Sequence, residues 1–293
     1  MNGRIRAYYQ LTKPGIVRGN AVHLVAGALF ASMLPLMWEP LLGAVIGTSL
    51  VIASACVANN YMDRGIDAKM KRTRRRPAVT GLVAFRDAMI FAAVLGAAGF
   101  ITLAFLTNPT VVLIGIIAYV LYVFAYGWAK RRTVHSTLIG AIPGALPAMA
   151  GYVAISGQAD IGAWLVFLLV FIWQMPHFYA ISIFRREEYH SAGLPVLGAV
   201  RPFETVRRYI VTYMVGYVVI VTLMVIYDVI GASSALLLLA GAGWWLSVAT
   251  FADRTDHHRW ARSVFGVSLV LTLLFLLAAG LNVFVGPPIH TLQ

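Results

Sequence analysis

Long apolar runs constrain this chain more than any other feature. Windows of about 20 residues with few charges recur at 18–37, 41–62, 86–107, 109–127, 137–156, 160–182, 205–229, 232–252 and 262–285. An α-helix needs about 20 apolar residues to cross a hydrocarbon core of ~30 Å. Because backbone polar groups inside a bilayer must be satisfied within the segment, runs of this length are buried there as helices. The windows predict an all-α, polytopic membrane protein of about nine transmembrane helices, forming a single membrane domain over 1–293. Composition agrees, with 60% hydrophobic and only 12% charged residues and a mean hydropathy of +0.80, far from soluble-domain averages. The two tightest junctions, Thr107-Asn108-Pro109 and Ser156 to Asp160, are read from turn chemistry.

Charge provides an independent check. Lys and Arg collect on the cytoplasmic side of a membrane protein, and with nine helices all 23 of them fall on one side. They occupy the N-terminal arm and the connections after helices two, four, six and eight, while the opposite connections carry only Glu39, Asp160 and Asp228. This predicts a cytoplasmic N-terminus and an external C-terminus. The net charge of +12 is not a nucleic-acid signal, since the basic residues lie between apolar runs rather than on a soluble face. Cys56 is the single cysteine, which excludes an intrachain disulfide and a cysteine zinc cluster. The basic N-terminal stretch leads into the first apolar run without a small-residue cleavage site and is read as mature protein.

The connections after helices two and six, about 59–86 and 183–204, are long and rich in both signs of charge, so chemistry is expected there. Asn59, Asp63 and Asp67 recur every four residues. Helical spacing of four aligns one amide and two carboxylates on one face, and carboxylates near a membrane helix end are expensive and usually functional. Magnesium prefers oxygen ligands and often uses one or two protein carboxylates together with substrate phosphates, so the row suits a metal-bound diphosphate. Arg72, Arg75 and Arg76 follow closely and bring guanidinium groups that match phosphate oxygens, although basic residues are also expected here from topology alone. Glu187 and Glu188 supply a second acidic pair with two readings: either they balance neighbouring arginines, or, with Glu188 the expected further ligand, two metal ions would clamp a leaving diphosphate.

These residues carry a resemblance. Asn59-x-x-x-Asp63-x-x-x-Asp67 resembles the first signature of the UbiA superfamily of intramembrane prenyltransferases. The stretches Leu11 to Asn20, Asp67 to Pro77, Tyr126 to Thr133 and Trp173-Gln174-Met175-Pro176-His177-Phe178 are similar to its protoheme IX farnesyltransferase branch. The likeness spans roughly 11–200. It departs at Glu188-Tyr189, where the branch usually has Asp-Tyr, and at Gly198, often proline. What the resemblance implies is a UbiA-type bundle that transfers a farnesyl group from farnesyl diphosphate to a vinyl group of heme b, with water adding, to give heme O.

It further implies Mg2+ held by Asn59, Asp63, Asp67 and Glu188, with Asn59, Asp63 and Asp67 catalytic. Lys13, Asn20, Arg72, Arg76, Tyr126, Lys130 and His177 are the implied substrate contacts. Tyr126 has two expected roles, toward diphosphate or toward the developing cation, and also an ordinary reading as an interface tyrosine. For His177 the alternatives are a heme contact and satisfaction of the backbone carbonyl freed by Pro176 or of a nearby helix. His23, His135, His190, His257, His258 and His290 form no ligand spacing and receive no role. The glycines Gly27, Gly96, Gly140 and Gly144 are expected to permit close helix packing.

Heme b is a substrate rather than a cofactor, membrane lipid is the solvent, and heme A synthase or oxidase assembly factors are implied partners in a bacterial inner membrane. Rival readings are a sister enzyme acting on a quinone precursor or chlorophyllide, a secondary transporter, and a heme chaperone. A transporter would place its key polar groups near the midplane, whereas the acidic row lies at a helix end.

Overall fold

The structure, a computed structural model, describes residues 3–285. The tail 286–293, expected outside the membrane and containing His290, lies beyond the described residues. Nine long apolar helices make up the bundle. They are α1 (Pro14–Phe30), α2 (Trp38–Met62), α3 (Phe85–Leu106), α4 (Pro109–Ala129), α5 (Ser136–Ser156), α6 (Ile161–Phe184), α7 (Phe203–Ile226), α8 (Ala232–Phe251) and α9 (His257–Val285). Eight, α2 to α9, are long and apolar enough to cross a membrane; α1 has 17 residues, about 26 Å at 1.5 Å per residue. The expected count of about nine is therefore close.

The first element differs from its expected window of 18–37. A short helix, Gly3–Leu11, precedes it, and α1 begins at Pro14 because proline fits the first helical turn, where its missing N–H costs nothing. It stops at Phe30, and the chain runs without regular structure to Met37. Within α4 the segment Leu121–Tyr126 is π-helical.

Each helix packs on the next, and α9 closes the circle onto α1. Across the circle, α1 packs on α5 and α6 on α9. Glycine permits the α1–α5 contact. A Cβ at Gly27 would collide with the Ala148 carbonyl, and one at Gly151 with the Leu24 carbonyl, so the two backbones touch. Gly96, Gly140 and Gly144 differ, since they make room for the side chains of Ser54, Tyr126 and Gln174 rather than for a backbone. On the outside, apolar residues such as Phe105 and Phe251 stand fully open, as lipid-facing residues do in a multi-pass membrane protein.

Short helices build the long connections: Arg64–Asp67 and Pro77–Thr80 after α2, Arg186–Ser191 and Leu197–Val200 after α6. These connections meet at one end of the bundle, where Arg72 reaches Glu188 and Lys130 reaches Asp63.

Candidate functional site

Helix α2 ends at Met62, yet the row of ligands survives the break. The Asp63 N–H donates to the Asn59 carbonyl at 3.0 Å and the Asp67 N–H to the Asp63 carbonyl at 2.8 Å. The four-residue spacing is thus kept through the junction, and Asn59, Asp63 and Asp67 are all buried.

Every expected acidic ligand is held by a base. Lys130 Nζ pairs closely with Asp63, which Arg131 also approaches at 3.5 Å. Arg76 pairs with Asp67 at 2.7 Å. Lys13 Nζ donates to Asn59 Oδ1 at 2.9 Å. Glu188 accepts from the Arg72 backbone N–H and from Arg185, each at 3.1 Å. Burial pushes the Glu188 carboxyl up, but these donors and the Arg72 and Arg185 guanidinium groups outweigh it and hold the carboxyl below its ordinary range. Among the described residues no three His, Cys, Asp or Glu side chains converge as a metal-holding group. Glu188 belongs to its own cluster with Arg72 and Arg185.

Two buried polar atoms in the row, Asn59 Nδ2 and Asp63 Oδ1, lack hydrogen-bond partners among the described residues. Such an atom left unpaired costs about 1–3 kcal/mol; at Asp63 Oδ1 the 3.5 Å approach of Arg131 offsets part of this, while Asn59 Nδ2 has no such neighbour among the described residues. The row's donor set, two carboxylates and an amide ringed by Lys13, Arg76, Lys130 and Arg131, suits a hard cation brought in with an anionic substrate. The backbone at Lys13 is strained toward this end: its φ of 51° lies in the left-handed region, at a cost of roughly 1–2 kcal/mol for a residue with a Cβ.

Below this charged end lies a cavity of about 570 Å³ whose lining is largely apolar. Asn20, Tyr126, Lys130 and His177 line it. Lys13, Asn59, Asp63, Asp67, Arg72, Arg76 and Glu188 do not; they belong to the charged clusters above. Asn20 hydrogen-bonds the Ile16 carbonyl. Lys130 Nζ stands between the Asp63 carboxylate and the Tyr126 ring, 5.2 Å from the ring centroid, and Tyr126 stacks on Tyr122 at 5.8 Å. Arg75 and Glu187 are exposed.

Of the two structural alternatives, His177 takes the contact with a nearby helix rather than the carbonyl freed by Pro176. Its Nδ1 is 2.7 Å from Ser268 Oγ on α9, and Trp173, one turn earlier, donates Nε1–H to the Ser268 carbonyl at 3.1 Å. The sequence reading missed three participants: His23, which lines the cavity against Trp173 at 4.9 Å, Arg131 and Ser268. The polar side chain of His23 within an apolar run was the available signal. Ser268 gave none.

Residues 21–270 match the model of the UbiA prenyltransferase family. The chain belongs to the UbiA prenyltransferase family. Among its relatives is protoheme IX farnesyltransferase 1 of Shewanella frigidimarina, 40% identical over 273 residues, which cover 92% of this chain and 90% of that one. The UbiA fold is equally clear in solved structures. A digeranylgeranylglyceryl phosphate synthase superposes with a TM-score of 0.79 at 17% identity, covering 96% of this chain and 98% of that one. A UbiA homolog from Archaeoglobus fulgidus bound to GPP and Mg2+ gives 0.67 at 15% identity, covering 93% and 99%.

Proposed function

We propose that this UbiA-family chain transfers the farnesyl group of farnesyl diphosphate to a vinyl group of heme b, with addition of water, giving heme O and diphosphate. The observation that carries the reading is the juxtaposition of a charged cluster, Lys13, Arg76, Lys130 and Arg131 around Asp63 and Asp67, with an apolar cavity of about 570 Å³ directly beneath it. A prenyl diphosphate has that division of character. The acceptor follows from the relatives named as protoheme IX farnesyltransferases.

Asn59, Asp63 and Asp67 would hold Mg2+, with Glu188 approaching from the other connection. The metal supplies charge neutralisation for the departing diphosphate. The chain's own groups do the rest. Arg76 and Lys130, which pair with Asp67 and Asp63, would turn to the diphosphate oxygens and stabilise the charge that grows as the allylic C–O bond breaks with its electron pair. Lys13 and Arg72 add positive charge at the mouth, and Asn20 lines the cavity on the α1 side. Tyr126 faces the developing allylic cation from the cavity wall. The vinyl π-bond attacks that carbon, water adds to the resulting carbocation, and a proton is released.

Positive-inside bias puts the charged end in the cytoplasm, and the bacterial inner membrane concentrates both apolar substrates. The test is conversion of heme b by purified protein in detergent with farnesyl diphosphate, with and without Mg2+, read by mass spectrometry beside Asp63→Ala. A heme O mass lost in the variant and in chelator supports reaction and site together. Turnover of a phenolic acceptor in place of heme would reassign the acceptor, and inactivity with every acceptor would overturn prenyl transfer.

A further inference from the structure

We infer that His177 is the axial ligand that seats the heme iron of the acceptor, and that Ser268 is the residue that positions it. This deepens the proposed function and rests on its heme acceptor.

The argument begins with one hydrogen. Ser268 Oγ lies 2.6 Å from the Phe265 carbonyl, which only accepts, and 2.7 Å from His177 Nδ1. The hydroxyl proton therefore goes to Phe265, and His177 must donate from Nδ1. That fixes the tautomer with Nε2 unprotonated. Ser268 itself is fully buried and outside the cavity lining, whereas His177 lines the cavity. The ring edge turned to the cavity is thus the Nε2 edge, and Nε2 has no hydrogen-bond partner among the described residues.

Metal-binding histidines nearly always donate their other ring nitrogen to a fixed acceptor, which sets tautomer and orientation. His177 has that second partner. His23, the other histidine on the cavity wall, makes no side-chain hydrogen bond among the described residues and touches Trp173 by its ring face or edge alone. Trp173 stacks on His177 with centroids 4.9 Å apart, and Phe265 flanks it at the same distance. The imidazole is therefore clamped from two sides as well as pinned at Nδ1.

The cavity also says which kind of metal this is. Its described lining contains no Asp, Glu or Cys, so a bare divalent cation would find too few ligands. A metal that arrives with four equatorial nitrogens from a macrocycle needs only an axial one.

The test is spectroscopic and uses the whole protein in detergent with heme b and no farnesyl diphosphate. Ferrous heme on the wild type should give an iron–histidine stretching band in resonance Raman. His177→Gly should lose the band, bind heme at least tenfold more weakly, and regain a five-coordinate imidazole complex when free imidazole is added. Ser268→Ala should keep the band at a shifted frequency with heme affinity lowered roughly tenfold, the usual scale for a lost outer partner. His23→Ala should keep the band. A band that persists in His177→Gly, or a His177→Gly protein that imidazole does not restore, overturns the assignment. If the wild type converts heme b yet shows no iron–histidine band, this inference falls alone; if it binds no heme b, the acceptor reading falls with it.

Discussion

Lys13 and Asn59 stand 46 residues apart in the chain, and the lysine Nζ donates to the asparagine Oδ1 at 2.9 Å. The bond ties the entrance of α1 to the first member of the ligand row. Lys13 makes it from a left-handed backbone between the short leading helix and Pro14.

Replacing Lys13 by methionine keeps the length of the side chain and removes the donor. A hydrogen bond from a charged group contributes about 1.5–3 kcal/mol, so kcat/KM for farnesyl diphosphate should fall about 10- to 100-fold, with heme affinity unchanged. Steady-state kinetics with the two substrates varied separately checks this, and an equal effect on both would count against a diphosphate-side role.

The Arg76–Asp67 pair should respond asymmetrically. Asp67 is almost wholly buried, while Arg76 is partly open. Arg76→Ala leaves an unpaired buried charge, at a cost of roughly 3 kcal/mol, whereas Asp67→Asn leaves an arginine that can turn to solvent. Thermal unfolding in detergent, without substrate, should show the larger loss for Arg76→Ala and partial recovery in the double variant. The reverse order would mean that Asp67 is not buried as a carboxylate.

At the α1–α5 contact, Gly27→Ala should destabilise by about 1–3 kcal/mol, the usual cost of overpacking, because its Cβ meets the Ala148 carbonyl. Gly243→Ala in α8 meets nothing within 4 Å and should gain up to about 1 kcal/mol from helix propensity. Paired melting curves separate the two effects, and a neutral Gly27→Ala would rule out the tight backbone contact.

The Glu188 latch should open in acid. Its folded carboxyl is held below the ordinary range, so the stabilisation is fully present above the unfolded value of about 4.3. It is lost as pH falls through the lower folded value. The Arg72 amide, which donates to Glu188 Oε1, reports this directly. Its exchange protection, corrected for intrinsic rate, should fall on acidification in the wild type and be weak at all pH values in Glu188→Ala. Protection that does not change with pH would disprove the latch.

What could be read from the chain divides along physical lines. The spans were legible because apolar length has one solution in a bilayer. The row Asn59, Asp63, Asp67 was legible because its spacing is local and survives the break at Met62. The partners of that row were not. Lys130 comes to Asp63 from 67 residues away and His177 to Ser268 from 91, and no periodicity encodes such meetings. The end of α1 was misplaced by apolarity itself: residues 31–37 remain apolar after the helix has stopped, and hydropathy does not distinguish an apolar loop from a helix.

The π-helical stretch Leu121–Tyr126 makes α4 two instruments in one. Such a stretch inserts an extra residue into the helical path, and one residue is about 100° of turn. The lipid reads only how much oil the helix carries, and that quantity has no direction. Tyr126 and Lys130 depend on direction entirely, since they must aim inward. A chain shortened by one residue within this stretch would still insert as a span, with its aromatic and its cation pointed elsewhere. Insertion and aim are thus inherited separately in this helix, and the second can change by a single codon while the first stays intact.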